Sequence, residues 1–186
     1  MNVQILQLNK AGSPAGWLNK QAAATLYAKE RVLWEMGENI ISIFGGINRL
    51  GEQSRIDMAP IIAVDGDIKH WQLRPSLSNR LLFRRDDHRC LYCGLQFPAL
   101  QLTRDHVLPK VQGGKDRWEN VVTACKRCNH AKGGRTPEQA HMALLAIPFA
   151  PNPFEYLYLA NRHILADQMQ FLANSFSRKR DWQQCA

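Results

Sequence analysis

Residues 102–114 read LTRDHVLPKVQGG. Through LTRDHVLP the side chains alternate in character and include β-favouring Thr and Val, so a strand is expected that turns between Lys110 and Gly114. Successive side chains of a strand point to opposite faces, so Asp105 and His106 can meet different surroundings, one a cation and the other water. An acid beside a histidine is weak evidence in isolation, because a surface ion pair produces the same dipeptide. The flanking sequence decides between the two.

On either side stand two CxxC pairs, Cys90-Leu91-Tyr92-Cys93 and Cys125-Lys126-Arg127-Cys128, with 31 residues between them. Two residues between thiolates let a knuckle turn aim both sulfurs at one ion, and two knuckles complete the tetrahedral four-ligand shell that Zn²⁺ prefers. Gly94 follows the first pair, where a knuckle needs relaxed backbone. Four thiolates leave no open position, so this zinc is expected to be structural. A separation longer than that of a simple zinc ribbon requires the segment between the knuckles to have structure of its own. Disulfides are disfavoured in a reducing compartment. Cys185, second from the end, is left over as a free thiol.

The surrounding composition fits an ordinary folded chain. Its 186 residues are 45% hydrophobic and 22% charged, enough apolar material for a core. No run approaches the ~18 apolar residues of a membrane span. MNVQILQLNK has no basic region followed by a long apolar one, so no secretory leader is expected and the cytoplasm is the expected location. The formal charge of +8 is uneven: Arg80 to Arg135 holds 12 Lys/Arg against 5 Asp/Glu. A basic block of that density attracts polyanions, nucleic acid foremost, whereas solubilising surfaces mix their signs.

Three segments are expected, in an α+β fold. Residues 1–75 form a scaffold or docking segment. VQILQLN reads as a strand, Asn19 as the cap of a helix through QAAATLYAKE, RVLWEM and IISIF as strands, Gly45-Gly46 as a turn, and IIAVDGD as a segment closing in a turn at Asp65-Gly66. Residues 76–147 form the zinc-stapled module. Ser76 or Ser78 caps a short helix, and the part of the chain after Cys125 starts another. Thr136, Pro137 and Gln139 make a capping box that should open a helix through HMALLA. Residues 148–186 comprise a proline linker, a helix capped by Asn152 with Phe154, Leu157, Tyr158, Leu165, Met169 and Leu172 on one face, and a basic tail.

Taken together, Asp105-His106, Asn120 in WENVV, Asn129 after the second CxxC, the Gly113-Gly114 turn and the CxxCNxxKG ending resemble the HNH endonucleases, whose ββα-metal motif cuts phosphodiester bonds. The resemblance is specific from about residue 79 to 140; more loosely, the whole resembles stand-alone bacterial HNH proteins with a small leading α/β segment. It implies His106 as the general base that activates water and Asp105 with Asn129 as ligands of one divalent cation, Mg²⁺ or Mn²⁺. Asn120 then ties the loop to the strand backbone and orients His106. His130, beside Asn129, is the less favoured ligand. Arg104, Lys110, Lys126, Arg127 and Lys132 are the nucleic-acid contacts. DNA is the implied partner and no membrane is; a homodimer is expected where one small site must cut both strands. The competing readings are a zinc-knuckle module that binds nucleic acid without cutting it, and a zinc domain for protein interaction. The latter leaves the Asp-His pair, both asparagines and the basic block unexplained.

Overall fold

The computed structural model describes residues 3–66, 76–161 and 163–177. The fold is α+β, in two compact units: one formed by Met1–Arg74 with Asn152–Ala186, the other by Pro75–Pro151. Cys185 and all but the first residue of the SRKRDW tail lie outside the described residues.

The first unit is built on a four-stranded sheet. Strands β1 (Ile5–Leu8), β2 (Pro14–Leu18), β3 (Val32–Met36) and β6 (Ile61–Val64) stand in the order β2-β1-β6-β3. Strand β1 runs parallel to β6 and antiparallel to β2. Both central strands are apolar on both faces, which a sheet tolerates only when each face is covered. Ile5, Ile62 and Val64 face helix α1 (Lys20–Ala28) through Ala23 and Ala24, while Leu6, Leu8, Ile61 and Ala63 face Leu157 and Leu172. Asn19 Oδ1 caps α1 by accepting from Ala22 N at 2.8 Å.

Gly45 and Gly46 lie inside strand β4 (Ile41–Ile47), not in a turn. The β4 pairing with β5 (Gln53–Met58) shifts register between Phe44 and Ile47, and the reversal comes later, where Asn48 Oδ1 accepts from Leu50 N and Glu52 N. Ser54 Oγ stands 2.3 Å from where a Cβ on Gly45 would be, so the glycine serves close strand approach. The C-terminal stretch forms two helices where one was expected: α4 (Pro153–Ala160) and α5 (Ala166–Ala173). The break falls at Asn161, whose backbone is extended and whose side chain accepts from His163 N. Local hydrogen bonding of this kind competes with helix continuation.

In the second unit Ser78, not Ser76, caps helix α2 (Asn79–Arg85), accepting from Leu81 N at 3.3 Å. Strands β7 (Leu102–His106) and β8 (Val121–Cys125) pair antiparallel, with Leu102 opposite Cys125 and His106 opposite Val121. Helix α3 (Lys126–Lys132) follows β8 directly. Fully buried Arg85 binds α2 to this hairpin. Its guanidinium grips Asp86 through two nitrogens, at 2.8 and 3.1 Å, and donates to the carbonyls of Trp118, Val121 and Phe149. Asp86 in turn accepts from Thr123 N on β8.

The capping box at Thr136 is present but opens no helix. Thr136 N donates to Gln139 Oε1 and Gln139 N to Thr136 Oγ1, yet after one turn His141 adopts φ 54 and the chain leaves. Leu145 N then donates to Leu91 O at 2.9 Å, drawing 142–147 back along the first knuckle. A tertiary hydrogen bond outweighs local helix propensity here.

Candidate active site

Strand β8 brings the two knuckles together, because Cys125 ends it and Leu91 N donates to its Thr123 O. The sulfurs of Cys90, Cys93, Cys125 and Cys128 all lie within 4.8 Å of one another. A tetrahedron of thiolates about 2.3 Å from zinc has edges of roughly 3.8 Å, so the donor set and its spacing fit a zinc-binding site with every position filled by protein. Three of the cysteines are buried and Cys93 is exposed. Burial pushes the Cys90 thiol up, but N–H groups of Cys125, Cys93 and Tyr92 together with the Cys93 side chain outweigh it and bring it down to about 7. A thiolate is thus favoured at Cys90 alone, whereas burial pushes the Cys93 and Cys128 thiols up.

Strand β7 divides its residues between two environments. Thr103 and Asp105 face α3. Asp105 is buried; its Oδ1 accepts from Lys132 Nζ at 3.0 Å and its Oδ2 from the Tyr92 hydroxyl at 2.5 Å. Lys132 Nζ also donates to His106 O at 2.8 Å. Asn129, one turn earlier on α3, donates through Nδ2 to Thr103 Oγ1 at 2.8 Å, and its Oδ1 is the acceptor atom of the amide. Burial, then the hydrogen bond to Asp105, pushes the Tyr92 phenol far up, so it stays protonated as a donor.

Arg104 and His106 point to the other face, where both meet Asp116. His106 Nε2 is 2.8 Å and Arg104 Nη1 3.0 Å from Asp116 Oδ1, and Lys110 Nζ is 3.0 Å from Oδ2. Hydrogen bonds from Lys110, His106 and Arg104 hold the Asp116 carboxyl well below the usual carboxylate range.

Asn120 closes the loop between the strands. Its Oδ1 accepts from Leu108 N at 2.9 Å, its Nδ2 donates to the carbonyls of Leu108 and Lys115, and its own carbonyl accepts from Val107 N. The loop turns through Lys110–Gln112 and a left-handed Gly113. A Cβ on Gly114 would stand 1.7 Å from Leu108 O, so no other residue fits there without moving backbone.

Lys110, Lys126 and Arg127 are exposed, and Arg104 is partly so. Lys132 departs from expectation. It is fully buried against Asp105 and cannot reach a phosphate in this arrangement. His130 is exposed on α3. Two residues of the site, Tyr92 and Asp116, carry no signal in the sequence pattern. Tyr92 lies inside a knuckle, where its spacing was absorbed by the cysteines; Asp116 follows the glycine turn as one acid among basic neighbours, and only loop closure reveals its partners.

Residues 90–145 match the model of a family described as HNH endonuclease. A stretch of 51 residues, 27% of this chain, is 37% identical to the CRISPR-associated endonuclease Cas9 of Corynebacterium diphtheriae, and corresponds to 5% of that protein. This chain therefore spans a small fraction of the length of the curated relative it matches. The resemblance to HNH endonucleases holds for residues 90–145, the stretch that carries the cysteine cluster, β7, β8 and α3. No helix among the described residues is long and apolar enough to cross a membrane.

Proposed function

We propose that this HNH segment is a metal-dependent endonuclease hydrolysing DNA phosphodiester bonds, with zinc as the ion of its cysteine cluster. The observation that carries the reading is the division of β7 within the family-matched segment: Asp105 opposite the Asn129-bearing helix, and His106 turned to a cation-lined face. The two oxygens, Asp105 carboxylate and Asn129 Oδ1, are hard donors suited to Mg²⁺ or Mn²⁺, and two protein ligands suit an ion that retains several waters. Asp105 already receives one cation, the Lys132 ammonium, and a carboxylate has further lone pairs to offer. When bound, the divalent cation supplies charge neutralisation at the phosphate oxygens. His106 accepts the proton of the attacking water, Asn120 holds the loop that frames it, and Arg104 and Lys110 draw the backbone phosphate to that face. Lys126 and Arg127 extend the contact along α3.

Plasmid nicking with Mg²⁺ or Mn²⁺ tests the proposal. His106→Ala should lose about 10²–10⁴-fold in cleavage while gel-shift binding of DNA persists. A wild-type protein that binds but never nicks would favour a non-catalytic zinc-knuckle module instead.

A further inference from the structure

We propose that Asp116 is a positioning residue for His106: by accepting from Nε2–H, its carboxylate fixes the imidazole in the tautomer that leaves the Nδ1 lone pair for water. The inference rests on the nuclease reading and adds to it a second member of the proton-accepting unit.

Three observations carry it. First, His106 Nε2 stands 2.8 Å from Asp116 Oδ1. An ionised carboxylate only accepts hydrogen bonds, so the nitrogen facing it must bear the proton, and in neutral imidazole the other nitrogen is then the acceptor. Second, the acid is held in place. Arg104 Nη1 and Lys110 Nζ grip the same carboxylate at 3.0 Å each. The loop that presents it is fastened at Lys115 O, one residue before it, by Asn120, and passes Leu108 so closely that only glycine fits at 114. Third, the two cations balance the charge. An uncompensated carboxylate would repel an incoming phosphate, whereas Asp116 with Arg104 and Lys110 leaves the face net positive. Outer partners of metal-ligating histidines commonly alter activity by about 10–100-fold when removed, and a loss of that order is expected for this partner of a base.

The same geometry admits a rival: the carboxylate could occupy the seat of a DNA phosphate between Arg104, His106 and Lys110, as a competitor and not as a support. Experiment separates the two. Full-length wild type, Asp116→Ala and Asp116→Asn are compared in saturation kinetics of plasmid nicking, with His106→Ala as control. The His106 ring nitrogens are observed in parallel by ¹⁵N NMR. The expected result is a kcat lower by about 10–100-fold in Asp116→Ala with KM little changed, a smaller loss in Asp116→Asn, and a wild-type spectrum with Nδ1 unprotonated that becomes a tautomer mixture in the alanine variant. A lower KM with kcat unchanged would overturn the proposal in favour of the phosphate-seat competitor. Unchanged kinetics and an unchanged tautomer would reduce the contact to a surface ion pair. If His106→Ala itself cuts at the wild-type rate, the assignment of His106 as base fails. If His106→Ala is inactive and Asp116→Ala is not impaired, the inference about Asp116 alone fails. Should Asp116→Ala not fold, Asp116→Asn, which keeps the shape and removes the charge, provides the same comparison.

Discussion

Lys132 illustrates how one side chain can serve a site without meeting the substrate. A buried ammonium costs several kcal/mol unless oxygens surround it; here Asp105 Oδ1 and His106 O do so at 3.0 and 2.8 Å. The pair crosses from α3 to β7, so it sets the distance between the helix that carries Asn129 and the strand that carries Asp105. Lys132→Met should lower stability by about 3–5 kcal/mol, because it leaves the Asp105 carboxylate buried with only Tyr92 as donor. Urea unfolding measures this, and a change of about 0.5 kcal/mol, the scatter of ordinary surface substitutions, would show that the pair does not hold the site together. At this scale the sequence was only partly legible. The residue types of the site and their order along the chain could be read from motif spacing, but the partners of each could not. The lysine of CxxCNxxKG looks like any basic residue of a basic block until α3 is laid on β7. Tyr92 and Asp116 are likewise defined by what they touch across 13 and 10 residues of chain.

Among the elements, the ones fixed by short-range pattern were legible: the alternation of 102–106 and the cap at Asn19 correspond to β7 and α1. Elements decided by contacts distant in sequence were not. The box at Thr136 forms both its hydrogen bonds yet yields a single turn, because the Leu145–Leu91 bond takes the following residues elsewhere. Glycine signals both turns and close strand approach, so the pair in β4 suggests a turn by pattern alone, and only the position of Ser54 separates the two. The cysteine cluster joins these elements at one end: the first knuckle reaches β8 through Leu91 and Asp105 through Tyr92, and the second continues β8 into α3. Without an ion, thiolates this close would repel one another. If the proposed zinc fills the cluster, a strong chelator should therefore cost the β7–β8–α3 arrangement its cooperative unfolding and expose it to protease, with refolding on zinc addition. A chelated, metal-free protein with unchanged near-ultraviolet circular dichroism would count against a folding role for the ion.

Over the whole molecule, the division into two units follows contacts that no local pattern reports. Residues 152–177 return to the sheet of the first unit, where Trp17 Nε1 donates to Leu157 O and Gln168 Nε2 donates to the carbonyls of Gln4 and Pro60. Charge is the property of the whole that the sequence displays directly, and it is concentrated on the second unit, where the stretch from Arg80 to Arg135 holds 12 Lys/Arg against 5 Asp/Glu. Burial reduces how much of it can meet a polyanion: Arg85 and Lys132 are consumed by internal carboxylates. Of the five contact residues expected from the sequence, Arg104, Lys110, Lys126 and Arg127 retain access to solvent. If Lys126, Arg127 and the one net positive charge that Arg104 and Lys110 keep beside Asp116 each neutralise one phosphate of duplex DNA, the logarithm of the binding constant should fall with the logarithm of salt concentration at a slope of about −2.7. Joint replacement of Lys126 and Arg127 by alanine should reduce that slope in magnitude by about 2, with the same loss on unrelated sequences, since phosphate contacts carry no base information. Fluorescence anisotropy across a salt series makes the measurement. A slope that the double variant leaves unchanged would remove α3 from the DNA-binding face and confine contact to the loop around Arg104 and Lys110.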